Sequence, residues 1–111
     1  NKVILITAFS TAYATVNGAN KIAEAALVTG DFALSGADGA ARTLTITLTG
    51  KAAGNALQAL ADGTNMHLAF VDTINSKVLY ETDESSDQPI TLGNPVQLNS
   101  NPTYVVNQPT A

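Results

Sequence analysis

The sequence predicts an all-β protein: a jelly-roll-like or Ig-like β-sandwich with one short helix in a connecting loop. Three observations lead there. Arg42–Thr49 alternates strictly, with Leu44, Ile46 and Leu48 between Thr43, Thr45, Thr47 and Thr49. That period of two places aliphatic side chains on one face and hydroxyls on the other. Met66–Asp72 and Lys77–Glu81 are two β-rich runs around the polar stretch Thr73-Ile74-Asn75-Ser76, the pattern of a hairpin. Short apolar runs elsewhere are cut by turn residues at frequent intervals, as in sandwiches and jelly rolls.

Taken in order, Lys2–Phe9 is a short apolar run rich in β-branched residues and predicts a strand buried on both faces. Tyr13–Val16 predicts a second strand running into the turn dipeptide Asn17-Gly18. Lys21–Val28 has helix-favouring alanines, but Thr29-Gly30-Asp31 cuts it short, so a strand is expected. Asp31–Leu34 predicts a strand and Ser35–Gly39 a loop. Ala52–Ala61 predicts the one short helix, with Asn55 as N-cap, Gly63 as stop, and Leu57 and Leu60 docking it. Pro89–Leu92, Val96–Leu98 and Tyr104–Val106 predict three short strands. All four prolines fall in the last 23 residues. Proline lacks an amide donor, so this quarter predicts edge strand and extended arm. With no repeat and no linker, residues 1–111 read as a single β-sandwich domain with an extended C-terminal arm at about 101–111.

Composition excludes several functions. The 111 residues contain no cysteine, which removes disulfide frameworks, zinc fingers, iron–sulfur clusters and cysteine nucleophiles. Five basic residues, Lys2, Lys21, Arg42, Lys51 and Lys77, are dispersed along a chain of net charge −4, so no basic stripe for nucleic acid is expected. The longest apolar run, Val3–Ile6, is too short to span a bilayer. Lys2, Val3–Ile6 and Ala12-Tyr13-Ala14 loosely imitate a signal peptide with an A-x-A site, but a buried first strand is the expected reading.

Chemistry is sparsely provided for. His67 is the only histidine, and strand alternation puts it on one face with Ala69 and Val71. It can be read as a general base, but a strand-surface or interface histidine is expected. No G-x-S-x-G, Walker A or G-x-G-x-x-G motif occurs, and no enzyme activity is expected. Glu81, Asp83, Glu84 and Asp87 cluster within seven residues. Calcium takes six to eight oxygens, yet the EF-hand spacing is missing, so a solvated loop and no metal or cofactor are expected. The threonine stripe offers a hydroxyl face for sugar, but a solvent-facing strand looks the same and there is no tryptophan platform. Phe9, Phe32 and Phe70 sit in apolar runs and are expected in the core.

Only 13% of residues are charged, against about 25% in a typical domain. Eighteen alanines, fourteen threonines and ten asparagines take the place of charge. Small neutral side chains lose little entropy when immobilised and cost little to desolvate. Such a surface suits burial against other subunits, which points to an assembly component.

This cysteine-free, weakly acidic, Ala/Thr/Asn-rich chain carries RTLTITLTG at Arg42–Gly50, MHLAFVDTINSKVLYE at Met66–Glu81 and NPTYVVNQPTA at Asn101–Ala111. In size, style and strand pattern it resembles the capsid decoration proteins, also called cement or staple proteins, of short-tailed bacteriophages. The resemblance carries over no specific residues. It implies a jelly-roll-like domain on the exterior of the virion's icosahedral capsid, bound to major capsid protein subunits and clamping neighbours. It also implies self-association as a dimer or trimer on the capsid, and neither nucleic acid nor membrane as partner. Termini able to lend a strand would serve such a clamp. The candidate interaction arms are therefore Val3, Ile4, Leu5 and Ile6 at one end and Tyr104, Val105 and Val106 at the other. The competing expectations are a secreted or cell-surface carbohydrate-binding or adhesin module, and a fimbrial or S-layer-type subunit that polymerises head to tail.

Overall fold

The computed structural model describes residues 1–37, 40–60, 67–83, 90–98 and 101–106. Among them the chain is mostly strand, with antiparallel sheets and two short helical turns, so the all-β expectation holds. It divides into two compact units, 1–27 with 52–97, and 28–51 with 98–111.

In the first unit, β1 (Lys2–Ile6), β2 (Lys21–Ala26), β6 (His67–Asp72) and β7 (Lys77–Asp83) form a four-stranded sheet in the order β2-β1-β6-β7. β1 pairs antiparallel with β2 on one side and with β6 on the other. Val3, Ile4, Leu5 and Ile6 are all buried, so both faces of β1 are covered. This corrects the expectation of an N-terminal arm. Every backbone group of a central strand is committed to its neighbours, and lending β1 to another protein would dismantle the sheet.

Register fixes which residues share a face. Ile4 lies opposite Ala69, and Ile6 opposite His67. Ile4, Ile6, Ala69 and Val71 form one buried cluster with Val16, and Tyr13 and Val78 pack against it. Val16 comes from α1 (Tyr13–Val16), a single helical turn where a strand was expected. The Val16 and Asn17 N–H groups donate to Ala12 and Tyr13 carbonyls at 3.1 and 2.8 Å. Curling the segment drives Val16 fully into the core, a gain that local β-propensity cannot match. Gly18 is required just beyond, because a Cβ there would stand 2.7 Å from the Ala14 carbonyl oxygen.

The helix expected at Ala52–Ala61 does not form in its described part, residues 52–60. β5 (Lys51–Asn55) instead pairs with β8 (Pro95–Leu98) in a two-stranded sheet. Gly54 has φ +70°, which breaks a right-handed helix, and the Leu57 N–H donates to the Ile22 carbonyl at 2.7 Å. Leu60 is buried as expected, through a bridge to Ile90, but Leu57 is exposed. Pro89–Leu92 is thus an isolated bridge at Ile90 rather than a strand, with Pro89 outside the described residues.

The second unit contains β3 (Phe32–Ser35), β4 (Arg42–Ile46) and β9 (Thr103–Val106), in the order β3-β4-β9. The strand expected over Arg42–Thr49 ends at Ile46, and the alternation shows in burial only at its far end: Ile46 and Leu48 are buried, Thr47 and Thr49 exposed, and Leu44 is half-buried. Thr43 and Thr45 are half-buried. The expected C-terminal arm is, through Val106, a structural strand, so Tyr104, Val105 and Val106 pair with β4 rather than hanging free. Asn101 secures it: its Oδ1 accepts from the Leu48 N–H at 2.9 Å, the Thr49 N–H at 3.1 Å and the Thr49 hydroxyl at 2.9 Å. Residues 107–111 of that arm lie outside the described residues.

Two stability predictions follow from this packing. Ile4→Ala leaves a hole in a strand buried on both faces and should cost about 2–5 kcal/mol, read by urea denaturation. Gly36 has φ +102° and its absent Cβ would stand 2.8 Å from the Ala41 carbonyl oxygen. Gly36→Ala should therefore destabilise by about 1–3 kcal/mol in the same assay.

Candidate assembly surfaces

His67 occupies the end of the buried face of the first sheet, its side chain 14% exposed. The Phe9 ring lies over it with centroids 4.2 Å apart. Phe9 is itself 47% exposed, so it is not the core residue expected from its apolar run. Asp83, opposite His67 in register, brings Oδ1 within ion-pair reach of His67 Nδ1. The approach is not aligned as a hydrogen bond, and Nδ1 is left without one. Beside them the Ser10 N–H donates to Glu81 Oε1 at 2.9 Å. The arrangement pins the chain after β1 onto the sheet. No serine or threonine hydroxyl among the described residues hydrogen-bonds to His67. Of the acidic run, Glu81 and Asp83 are thus engaged, while Glu84 and Asp87 lie outside the described residues. No group of three acidic or imidazole side chains fit to hold a metal occurs among the described residues.

The described carboxylates with displaced titrations are held by local partners. Glu24 takes Lys2 Nζ at 2.5 Å and Lys21 Nζ at 3.3 Å. The Lys2 hydrogen bond holds its carboxyl below the ordinary range despite partial burial. Asp31 takes Lys51 Nζ at 2.8 Å and the Val28 N–H at 2.9 Å, and the lysine bond lowers its titration first. Asp72 accepts from Asn75 Nδ2 at 2.7 Å and from the Ile74 N–H at 2.9 Å, and the Asn75 amide is the main cause of its lowered value.

Several large apolar side chains also face outward. Ile74, at the tip of the β6–β7 hairpin, is 89% exposed. Asp72 clamps that tip, so Ile74 projects from an ordered turn. In the second unit, Val28, Phe32, Leu34 and Val105 are exposed. Phe32 was expected in the core. Register explains its position: Phe32 and Leu34 face the same side as Leu44 and Ile46, but β3 ends the sheet and no further strand follows it among the described residues. Phe70, on the central β6, is buried as expected and stacks on Tyr80 at 5.9 Å.

The sheet edges differ in how they are guarded. Proteins block open edges with charge, proline or irregular register. β2 carries Lys21 and Glu24 and a register shift, β7 carries Lys77, Glu81 and Asp83 and another shift, and β8 begins with Pro95. β3 is Phe32-Ala33-Leu34-Ser35, with no charge, no proline and regular pairing, and β9 at the other edge of that sheet is likewise uncharged and regularly paired.

A scan against protein-family models finds no match, and searches of curated proteins and of solved structures find none either.

Lowered titrations carry a sign. Glu24, Asp31 and Asp72 bind protons more weakly folded than unfolded, so their contribution is whole above the ordinary carboxylate range and lost as pH falls through the lowered values. Thermal melts should hold steady near neutrality and drop below about pH 4. Lys51→Met should blunt that acid dependence, by releasing Asp31.

Proposed function

We propose that this chain is a structural assembly protein that binds a repeating protein surface, as a decoration protein does on the outer face of an icosahedral phage shell. The observation that carries the reading is apolar side chains left in water on ordered elements: Ile74 on its clamped tip, Leu34 on the uncharged β3, and Val28 ahead of it. Isolated exposed apolar residues are ordinary on protein surfaces. Here they stand on a chain whose charge content is about half the usual, so the surroundings also desolvate cheaply.

The work of such a protein is mechanical. Packaged DNA pushes coat subunits apart, and a clip across their junction adds interface that must break before they separate. A stable contact buries about 1,600 Å² in total, and many copies on one shell add by multivalency. Ile74 is suited to anchor the clip, because its turn is already ordered and little entropy is lost on docking.

The test uses emptied shells built from the coat protein of the phage that encodes the chain. The full chain should co-sediment with them to saturation and raise the temperature at which they break open. Ile74→Asp should fold normally and lose most of the binding. A wild-type chain left in the supernatant, at concentrations well above that of coat subunits, would overturn the reading.

A further inference from the structure

The open edge of β3 has a defined set of free backbone groups. The Thr47 N–H donates to the Asp31 carbonyl at 2.8 Å, and the Ile46 N–H donates to the Pro102 carbonyl at 3.0 Å. Backbone groups alternate sides along an antiparallel ladder. In β4, residues 43, 45 and 47 therefore bond towards β3, and residues 42, 44 and 46 towards β9. By the register of β3 on β4, Ala33 and Ser35 bond inward, while Phe32 and Leu34 turn their backbone groups to the open edge. The Phe32 N–H is already used, donating back to the Thr29 carbonyl. Among the described residues three groups remain without a partner: the Phe32 C=O and both groups of Leu34.

We propose that β3 pairs antiparallel with β3 of a second copy of this chain, about a twofold axis at Ala33, joining two three-stranded sheets into one of six strands. In that register the Leu34 N–H donates to the carbonyl of the partner's Phe32, and the reverse bond forms by symmetry. The Phe32 ring lies across from the partner's Leu34, on the apolar side, where aromatic–aliphatic pairs favour pairing. Charge agrees with a like partner. β3 itself is neutral, and Asp31 at its start is neutralised by Lys51 and would face the partner's Ser35. No like charges meet across the axis.

The size of the contact sets its strength. Four residues a side fall well below the roughly 1,200 Å² of a stable interface. The pair is therefore weak in solution and gains force where copies are already held side by side. The inference rests on the assembly reading for its purpose only, and its test needs no shell.

Sedimentation equilibrium of the full chain from micromolar to millimolar should show a reversible monomer–dimer equilibrium that stops at two. The Leu34 amide should become protected from hydrogen exchange as concentration rises, while the inward Ala33 amide is protected throughout. Leu34→Lys places a charge on the edge and should weaken the dimer at least about tenfold. Leu34→Pro removes only an outward N–H, which an edge tolerates, and should do the same with the melting temperature nearly kept. Val105→Lys, on the far edge, should leave the dimer intact. A chain monomeric at millimolar concentration overturns the proposal. So does a dimer lost with Val105→Lys but kept with Leu34→Lys, and so does growth beyond two copies, the mark of head-to-tail β3–β9 pairing. Shell binding that survives in a monomeric Leu34→Lys chain would leave the functional reading standing by itself.

Discussion

The burial of β1 on both faces is the constraint from which the first unit follows. Val3 and Leu5 look one way, Ile4 and Ile6 the other, and all four are removed from water. A strand so placed needs a neighbour on each edge and cover on each face. β2 and β6 satisfy the edges. On the Ile4 and Ile6 face, α1 and the chain after β1 fold back, bringing Val16 and Tyr13 onto the cluster. That requirement overrides the β-propensity of Tyr13–Val16. It also removes the N-terminus from any role as a donated strand.

Several of the described charges serve as local clamps. Glu24 joins the start of β1 to β2 through Lys2, Asp31 holds Lys51, and Asp72 stiffens a hairpin tip. Charges engaged in this way hold the fold together. Neutral small side chains release water at low cost, which matters more for a protein that is covered by neighbours than for one that stays dispersed. The same sparseness leaves both edges of the second unit's sheet, β3 and β9, with neither charge nor proline.

The proposed assembly role draws on this distribution. The one imidazole sits against Phe9 and Asp83, where it pins a crossing segment. Among the apolar groups that face water, Ile74 stands on a clamped turn and Leu34 on a sheet edge, both ordered before any partner arrives. Preorganised contacts of small area suit multivalent binding, in which each site is weak and the array is strong.

Strand positions with a strong period or a recognisable turn were legible from residues alone. Arg42–Ile46, the β6–β7 hairpin and the burial of Val3–Ile6 all follow from alternation, β-branching and turn chemistry, which act within a few residues. Tertiary structure decided the rest. It turned Tyr13–Val16 into a helical turn to fill the core, and made Lys51–Asn55 a strand by pairing it with β8, with Gly54 at a positive φ that no right-handed helix accommodates. It placed β1 at the centre of its sheet and β3 at an edge. Apolar sequence marks a residue for burial, but its neighbours in space determine whether it is covered, and for Phe9, Phe32 and Leu34 that cover is missing or partial.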